Sequence, residues 1–180
     1  MKYYFIICFN IVIGISLNAQ LVRNTSYTNQ SGERVLRLES ELPIDISTAW
    51  KYFTQDEKIK MWMAPLAHIE LKSGGYIVTN YDKTKSLSDS TSIVLPIIAY
   101  IDNELLILKV NLNNNFPKSA RDTDEHLQEI IQFIKTDENH TNIISSMTGW
   151  GNSSDWDKTY SFFTQGNESV FTDLQNCLKQ

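Results

Sequence analysis

Only one segment of this chain has the length and apolar spacing of a long helix, and it comes last. Between residues 154 and 178, Trp156, Tyr160, Phe163, Asn167, Val170, Leu174 and Leu178 recur three or four positions apart. That spacing lines side chains along one face of an α-helix. Lys158, Thr164 and Glu168 fall on the other face. Asn152, Ser153 and Ser154 are candidate N-caps, and Asp155 and Asp157 suit the positive end of the helix dipole. Gly166 is expected to loosen the middle of the helix. A Gly149-Trp150-Gly151 corner leads into it.

Almost everything before that corner reads as strand. Residues 34–40 alternate as a first strand, and Pro43 and Asp45 punctuate its end. Ser47 is read as the N-cap of a short helix around Trp50 and Phe53. Thr54 caps a second over 56–62, with Glu57 in the capping-box position. Pro65 closes this unit. Strands are then expected over 67–71, 76–81, 92–100, 105–112, 126–135 and 142–148. Turn chemistry separates them: Ser73-Gly74-Gly75, a charged loop over 82–90, Asp102-Asn103, and residues 136–140. Residues 113–124, with Pro117, form a long polar connection of the kind that often carries function.

This order has a consequence. An antiparallel sheet keeps one face wet and covers the other. With a single long helix available as cover, the sheet must curve around it, and a large curved sheet gripping one helix tends to leave a cavity. A small molecule would go there.

The N-terminus reads as a targeting segment. Lys2 precedes a run from Tyr3 to Leu17 that is apolar apart from Asn10, Gly14 and Ser16, and Ala19 offers a small residue for cleavage. The run is too short and interrupted for a spanning helix. Residues 1–19 are therefore read as a signal peptide, 20–33 as an aperiodic polar linker, and 34–180 as one domain. The mature chain is expected to be exported, periplasmic or secreted, with no integral membrane span; an uncleaved segment would instead anchor it. Formal net charge is −5 and no basic patch stands out, which disfavours nucleic acid as a partner. Cleavage would leave Cys177 as the only cysteine, so no disulfide framework forms within one chain.

Several stretches together resemble one family. These are Leu42-Pro43-Ile44-Asp45 through Ala49-Trp50-Lys51-Tyr52-Phe53-Thr54; Ile59-Lys60-Met61-Trp62-Met63-Ala64-Pro65; and Ile69-Glu70-Leu71-Lys72-Ser73-Gly74-Gly75. Ala99-Tyr100-Ile101-Asp102-Asn103-Glu104-Leu105 and Thr148-Gly149-Trp150-Gly151 with Trp156, Tyr160 and Phe163 complete the set. In order and spacing they are similar to the SRPBCC, or START-like, superfamily. The branch they resemble is the domain named after the C-terminal part of the activator of Hsp90 ATPase. The resemblance spans residues 34–178. It implies an α+β helix-grip fold: a curved antiparallel sheet of about six strands wrapped on a long C-terminal helix, with two short helices after strand one and a deep apolar pocket. Members bind lipids, sterols, polyketides or other hydrophobic molecules, and some are cyclases.

Candidate pocket residues follow. Trp156, Tyr160 and Phe163 share the inner helix face, and Trp62 is a candidate for the pocket mouth. Tyr76, Gln128, Gln132 and Ser145 are polar residues among apolar strand positions, where any that face inward need a partner or a ligand. Period-two alternation turns some of them outward, and both faces stay open. No catalytic set is evident. His68, His126 and His140 lack metal-ligand spacing, and Asp122, Asp124 and Glu125 read as a solvated acidic loop rather than a cation site. No phosphate loop, nucleophile elbow or paired carboxylates are present. The expected function is a non-enzymatic binding module for a small hydrophobic molecule, lipid-like or aromatic, without cofactor or metal. Two alternatives stand beside it. One is a pocket enzyme of the cyclase or lyase type using Tyr76, Tyr160 or His126 as acid or base. The other is an envelope protein-interaction or co-chaperone-like domain without a ligand.

Overall fold

The computed structural model describes residues 22–179. The segment read as a signal peptide lies outside them. Nine strands, all paired antiparallel, form one sheet among the described residues. In chain order they are β1 (Arg23–Asn24), β2 (Tyr27–Thr28), β3 (Arg34–Leu42), β4 (Leu66–Glu70), β5 (Tyr76–Asn80), β6 (Ile93–Ile101), β7 (Leu105–Lys109), β8 (Gln128–Lys135) and β9 (Thr141–Thr148). Four helices accompany them: α1 (Ile46–Thr54), α2 (Asp56–Ile59), α3 (Lys118–Asp122) and α4 (Ser154–Cys177). The strands run β1-β3-β9-β8-β7-β6-β5-β4, with β2 also on β3. This is the helix-grip architecture, with α4 on the concave face, and the sheet has nine strands rather than about six.

The two additional β1 and β2 strands account for part of that difference. They fall inside 20–33, the span whose sequence reads as a linker. Arg23 pairs with Glu39 in register and Tyr27 with Val35. Val22 is buried, and Arg23 forms an ion pair with Glu39 at 2.6 Å. Two-residue strands are too short to show a period, so only the edge of β3 reveals them.

Local caps also differ from the sequence reading. Asp45, not Ser47, caps α1, accepting from the Thr48 backbone N–H at 3.0 Å. Thr54 does not cap α2, because it is the last residue of α1 and donates its hydroxyl to the Trp50 carbonyl at 2.8 Å. The α2 helix is one turn with no side-chain cap. Its Asp56 accepts instead from the Ile69 backbone N–H at 2.9 Å and lies 2.8 Å from His68 Nδ1, tying the turn to β4. The polar connection after β7 contains α3. For α4 the expected cap holds: the Ser153 side chain accepts from the Trp156 N–H.

Cover for the sheet comes from two helices. Trp50 and Phe53 of α1 each pack edge-on against Phe133 of β8, with ring centroids 5.0 Å apart. The α4 helix buries Trp156 and Thr159 near its start and Phe171, Leu174 and Gln175 near its end. Between Thr159 and Phe171 no residue of α4 is buried. The helix grips at both ends and stands off the sheet in the middle. A register shift between Ile97 and Ala99 on β6 interrupts the ladder, the kind of bulge that increases local bend and twist. Among the described residues no helix is long and apolar enough to cross a membrane.

Candidate functional site

The gap under the middle of α4 is a cavity of about 780 Å³, within the ~300–1,000 Å³ usual for small-molecule sites. Its walls follow from strand parity. Ile77 and Thr79 of β5, Ile93 and Leu95 of β6, Leu106 and Leu108 of β7, and Glu129 and Ile131 of β8 point into it. Phe163, Gly166, Asn167 and Val170 of α4 close it from the other side. Trp62 and Met63 after α2 complete one flank, and Asn111, Asn113 and Phe116 before α3 complete another.

The rim is apolar and open to solvent. Met61, Tyr81 and Phe162 line the cavity and are 50%, 56% and 61% exposed. Phe116 stacks on Phe163 at 5.3 Å and meets Phe162 edge-on at 5.1 Å. This aromatic trio joins the connection before α3 to the exposed middle of the helix.

Inside, the wall carries few polar groups. Thr79 is buried and has no side-chain hydrogen bond among the described residues. Asn167 Nδ2 is 3.2 Å from the Met147 sulfur, a weak acceptor. Glu129 stands out. Its carboxylate accepts a hydrogen bond from the Ser145 hydroxyl at 2.6 Å and has no ion-pair partner among the described residues. Burial pushes the Glu129 carboxyl above its ordinary range, and the Ser145 hydrogen bond opposes this more weakly. The Tyr81 phenol is also pushed up, by burial and then by the negative charge of Glu129. Tyr81 is more than half exposed, so solvent screens much of this shift.

The structure brings only some of the sequence candidates to this site. Trp62 and Phe163 line the cavity. Trp62 is held by its indole N–H, which donates to the Tyr52 carbonyl at 2.9 Å. Ser145 lies on the inner face and reaches the cavity through Glu129. Trp156 is buried away from the cavity wall and donates to Thr123 Oγ1 at 3.0 Å. Tyr160 packs on Trp150 at 4.9 Å, with the Arg34 guanidinium over its ring. Gln128 and Gln132 have the opposite parity to Glu129 and Ile131: Gln128 lies 3.4 Å from Thr148 Oγ1, and Gln132 is exposed. Tyr76 has the opposite parity to Ile77 and packs edge-on to His68. Thus Tyr76, Tyr160 and the exposed His126, the acids or bases of the enzymatic alternative, all lie off the cavity wall.

The sequence pattern does not single out Glu129, Thr79 or Tyr81, and it places Asn167 on the inner helix face without marking it as a pocket residue. Glu129 shares its parity with Ile131 and Phe133, but the apolar residues on both parities of β8 leave alternation unable to say which face is inner. In the acidic loop, Asp124 pairs with Lys109 at 2.9 Å and accepts from the Leu127 N–H, so its charge is already used. No group of three or more His, Cys, Asp and Glu side chains comes together among the described residues in a way that could hold a metal. Chemically the site offers an apolar chamber with one internal carboxyl.

Comparison with known proteins agrees with this architecture. The family model described as Activator of Hsp90 ATPase homolog 1-like protein matches residues 43–179. Among 170 matching chains of solved structures is a protein from Mesorhizobium loti, 16% identical, with a TM-score of 0.63 over 81% of this chain and 97% of that one. The Aha1 dimer from Colwellia psychrerythraea matches at 14% identity and a TM-score of 0.60, over 80% and 95% of the two chains. A protein described as an Hsp90 activator from Plasmodium falciparum matches at 14% identity and a TM-score of 0.57, over 81% and 96%. At these identities the likeness carries the fold. None of the curated proteins matches the sequence at a significant level.

Proposed function

The chain belongs to the family of Activator of Hsp90 ATPase homolog 1-like proteins, a branch of the SRPBCC superfamily, and from that premise we propose that it is a binding module that holds a small hydrophobic molecule between α4 and the sheet. The observation that carries this reading is the cavity of about 780 Å³ beneath the unburied middle of α4. A helix held only for structure gains by burying its middle as well as its ends, because apolar burial contributes ~25 cal/mol per Å². Leaving Phe163 and Val170 half-buried forgoes that gain, and a ligand would restore it. The open rim at Met61, Tyr81 and Phe162 gives a route in.

Export belongs to the same proposal. It is motivated by the basic start, apolar core and Ala19 of the first 19 residues. N-terminal sequencing of protein recovered from the producing cells tests it; a chain that retains Met1 and stays in the cytosol would remove it.

The test of binding is native mass spectrometry of the chain purified from its own compartment, with titration of the uncharged fluorophore N-phenyl-1-naphthylamine. The expected result is a bound apolar mass or one saturable fluorophore site. Empty protein together with no saturable signal would overturn the reading. The family name motivates a second reading, stimulation of an Hsp90 ATPase by direct contact. Adding the purified chain to an Hsp90 ATPase assay separates the two, since a contact activator needs no occupied cavity.

A further inference from the structure

Glu129 occupies a position where an apolar residue would be ordinary. Directly opposite it in the sheet are Leu108 and Met147, both 1% exposed, and Ile131 follows on the same face. Its Oε1 is used by Ser145 at 2.6 Å. Its Oε2 has no hydrogen-bond partner among the described residues, and the half-buried side chain lines the cavity. Other groups facing the chamber do not neutralise it. Lys60, the one basic residue on the described lining, sits at the rim with its ammonium on Glu57 at 2.8 Å. The exposed Asp173 near the end of α4 adds a further acid, while Tyr81 and Asn167 are uncharged.

A half-buried carboxyl without a counter-charge loses part of its hydration, which favours its neutral form. Persistence of such a group on a cavity wall is explained when something entering the cavity satisfies it. The acceptor sites left on Oε2 and the further acid at Asp173 both select a cationic, N–H-donating complement.

Building on the reading of this cavity as a ligand site, we propose that Glu129 is its polar anchor, and that the ligand is an apolar molecule bearing one amine, which donates N–H to Glu129 Oε2 as an ammonium. The hydrocarbon part lies against Leu106, Leu108, Ile131 and Phe163. Ser145 positions the carboxylate by holding Oε1, leaving Oε2 directed at the ligand. Ligands with a carboxylate or phosphate head are disfavoured by repulsion from Glu129 and Asp173.

Calorimetric titration of the full mature chain with decylamine, decanol and decanoate tests this, in wild type and in Glu129→Gln. In the wild type decylamine is expected to bind about tenfold more tightly than decanol, the increment of one charge-assisted hydrogen bond, with decanoate weakest. Glu129→Gln keeps shape and volume but no charge, so decylamine should lose its advantage and bind no more tightly than decanol in that variant; a thermal melt verifies that the variant is folded. If decanol binds but decylamine binds no better, or if decylamine affinity survives in Glu129→Gln, the anchor is overturned while the binding module stands. If none of the three binds the wild type, the cavity reading itself fails and takes the anchor with it. The comparison of amine with alcohol in the wild type decides the matter even if the variant folds poorly.

Discussion

The indole nitrogen of Trp156 occupies the space that a side chain on Gly151 would need: a Cβ built there would lie 2.2 Å from Trp156 Nε1. This contact sets the corner between β9 and α4. The same indole N–H donates to Thr123 Oγ1 at 3.0 Å, which ties the helix start to the end of α3. The neighbouring Gly149 has a φ of +87° and a similar near-contact with the His126 carbonyl. Gly151→Ala is therefore expected to displace a buried tryptophan and destabilise the fold by ~1–3 kcal/mol, the usual range for overpacking. Urea unfolding followed by tryptophan fluorescence reads it directly, and a variant as stable as the wild type would show that the corner has room to relax.

Arg34 clamps the same corner. Its Nη1 pairs with Asp157 at 2.6 Å, its Nη2 donates to the Gly151 carbonyl at 2.9 Å, and its guanidinium stands over the Tyr160 ring at 5.0 Å. The Asp157 side chain is 67% exposed, so the ion pair is screened and contributes little. The carbonyl bond and the ring contact need the planar fork. Arg34→Lys should then cost ~1 kcal/mol or more, and Asp157→Asn less than ~0.5 kcal/mol. Equal losses in the two variants, measured by chemical denaturation, would assign the clamp to the ion pair instead.

The contrast between α4 and β8 shows how far residue patterns reach. The helix face of Trp156, Tyr160 and Phe163 was legible because 3.6-residue spacing, the cap at Ser153 and the acidic first turn agree. What remained hidden was that the face is divided: Trp156 enters the core, Tyr160 packs on Trp150, and Phe163 alone of the three meets the cavity. Helical spacing gives a direction but not the distance to the sheet. In β8, isoleucines occur at both parities, Ile130 and Ile134 on one and Ile131 on the other. Alternation then cannot say which face is inner, and Gln128 and Gln132 compete equally with Glu129. Only the register with β7 and β9, a tertiary fact, selects Glu129.

Stability should carry a pH signature from that carboxyl. Burial raises its pKa in the fold above the ordinary value of 4.5, so the folded chain holds this proton more tightly than the unfolded one. The stability it contributes is complete below the unfolded value and is lost as pH rises through the raised folded value. Ser145 from β9, Tyr81 beyond β5, and the other polar groups on the cavity lining, Lys60 after α2 and Asn167 and Asp173 from α4, are unchanged in Glu129→Gln, which has no proton to lose. The variant should gain on the wild type as pH rises across that window and be the more stable of the two at neutral pH. Parallel curves of urea midpoint against pH would mean that the carboxyl is solvated.

Gly166 separates the role of the cavity from the stability of the fold. It lies within α4 and lines the chamber, and a Cβ added there would meet nothing within 4 Å. Glycine inside a helix is less favourable than alanine by ~0.5–1 kcal/mol, so Gly166→Ala should raise stability by about that amount. Gly166→Leu adds apolar atoms to empty space without displacing packed neighbours, and it should be no less stable than the wild type. The same side chain takes room from any ligand. N-phenyl-1-naphthylamine is therefore expected to bind Gly166→Leu about tenfold more weakly, a loss of roughly 1.4 kcal/mol. Stability and binding would then move in opposite directions, as they must if the gap under α4 is kept for a ligand. A filled variant that binds the fluorophore as tightly as the wild type would place the binding site elsewhere on the molecule.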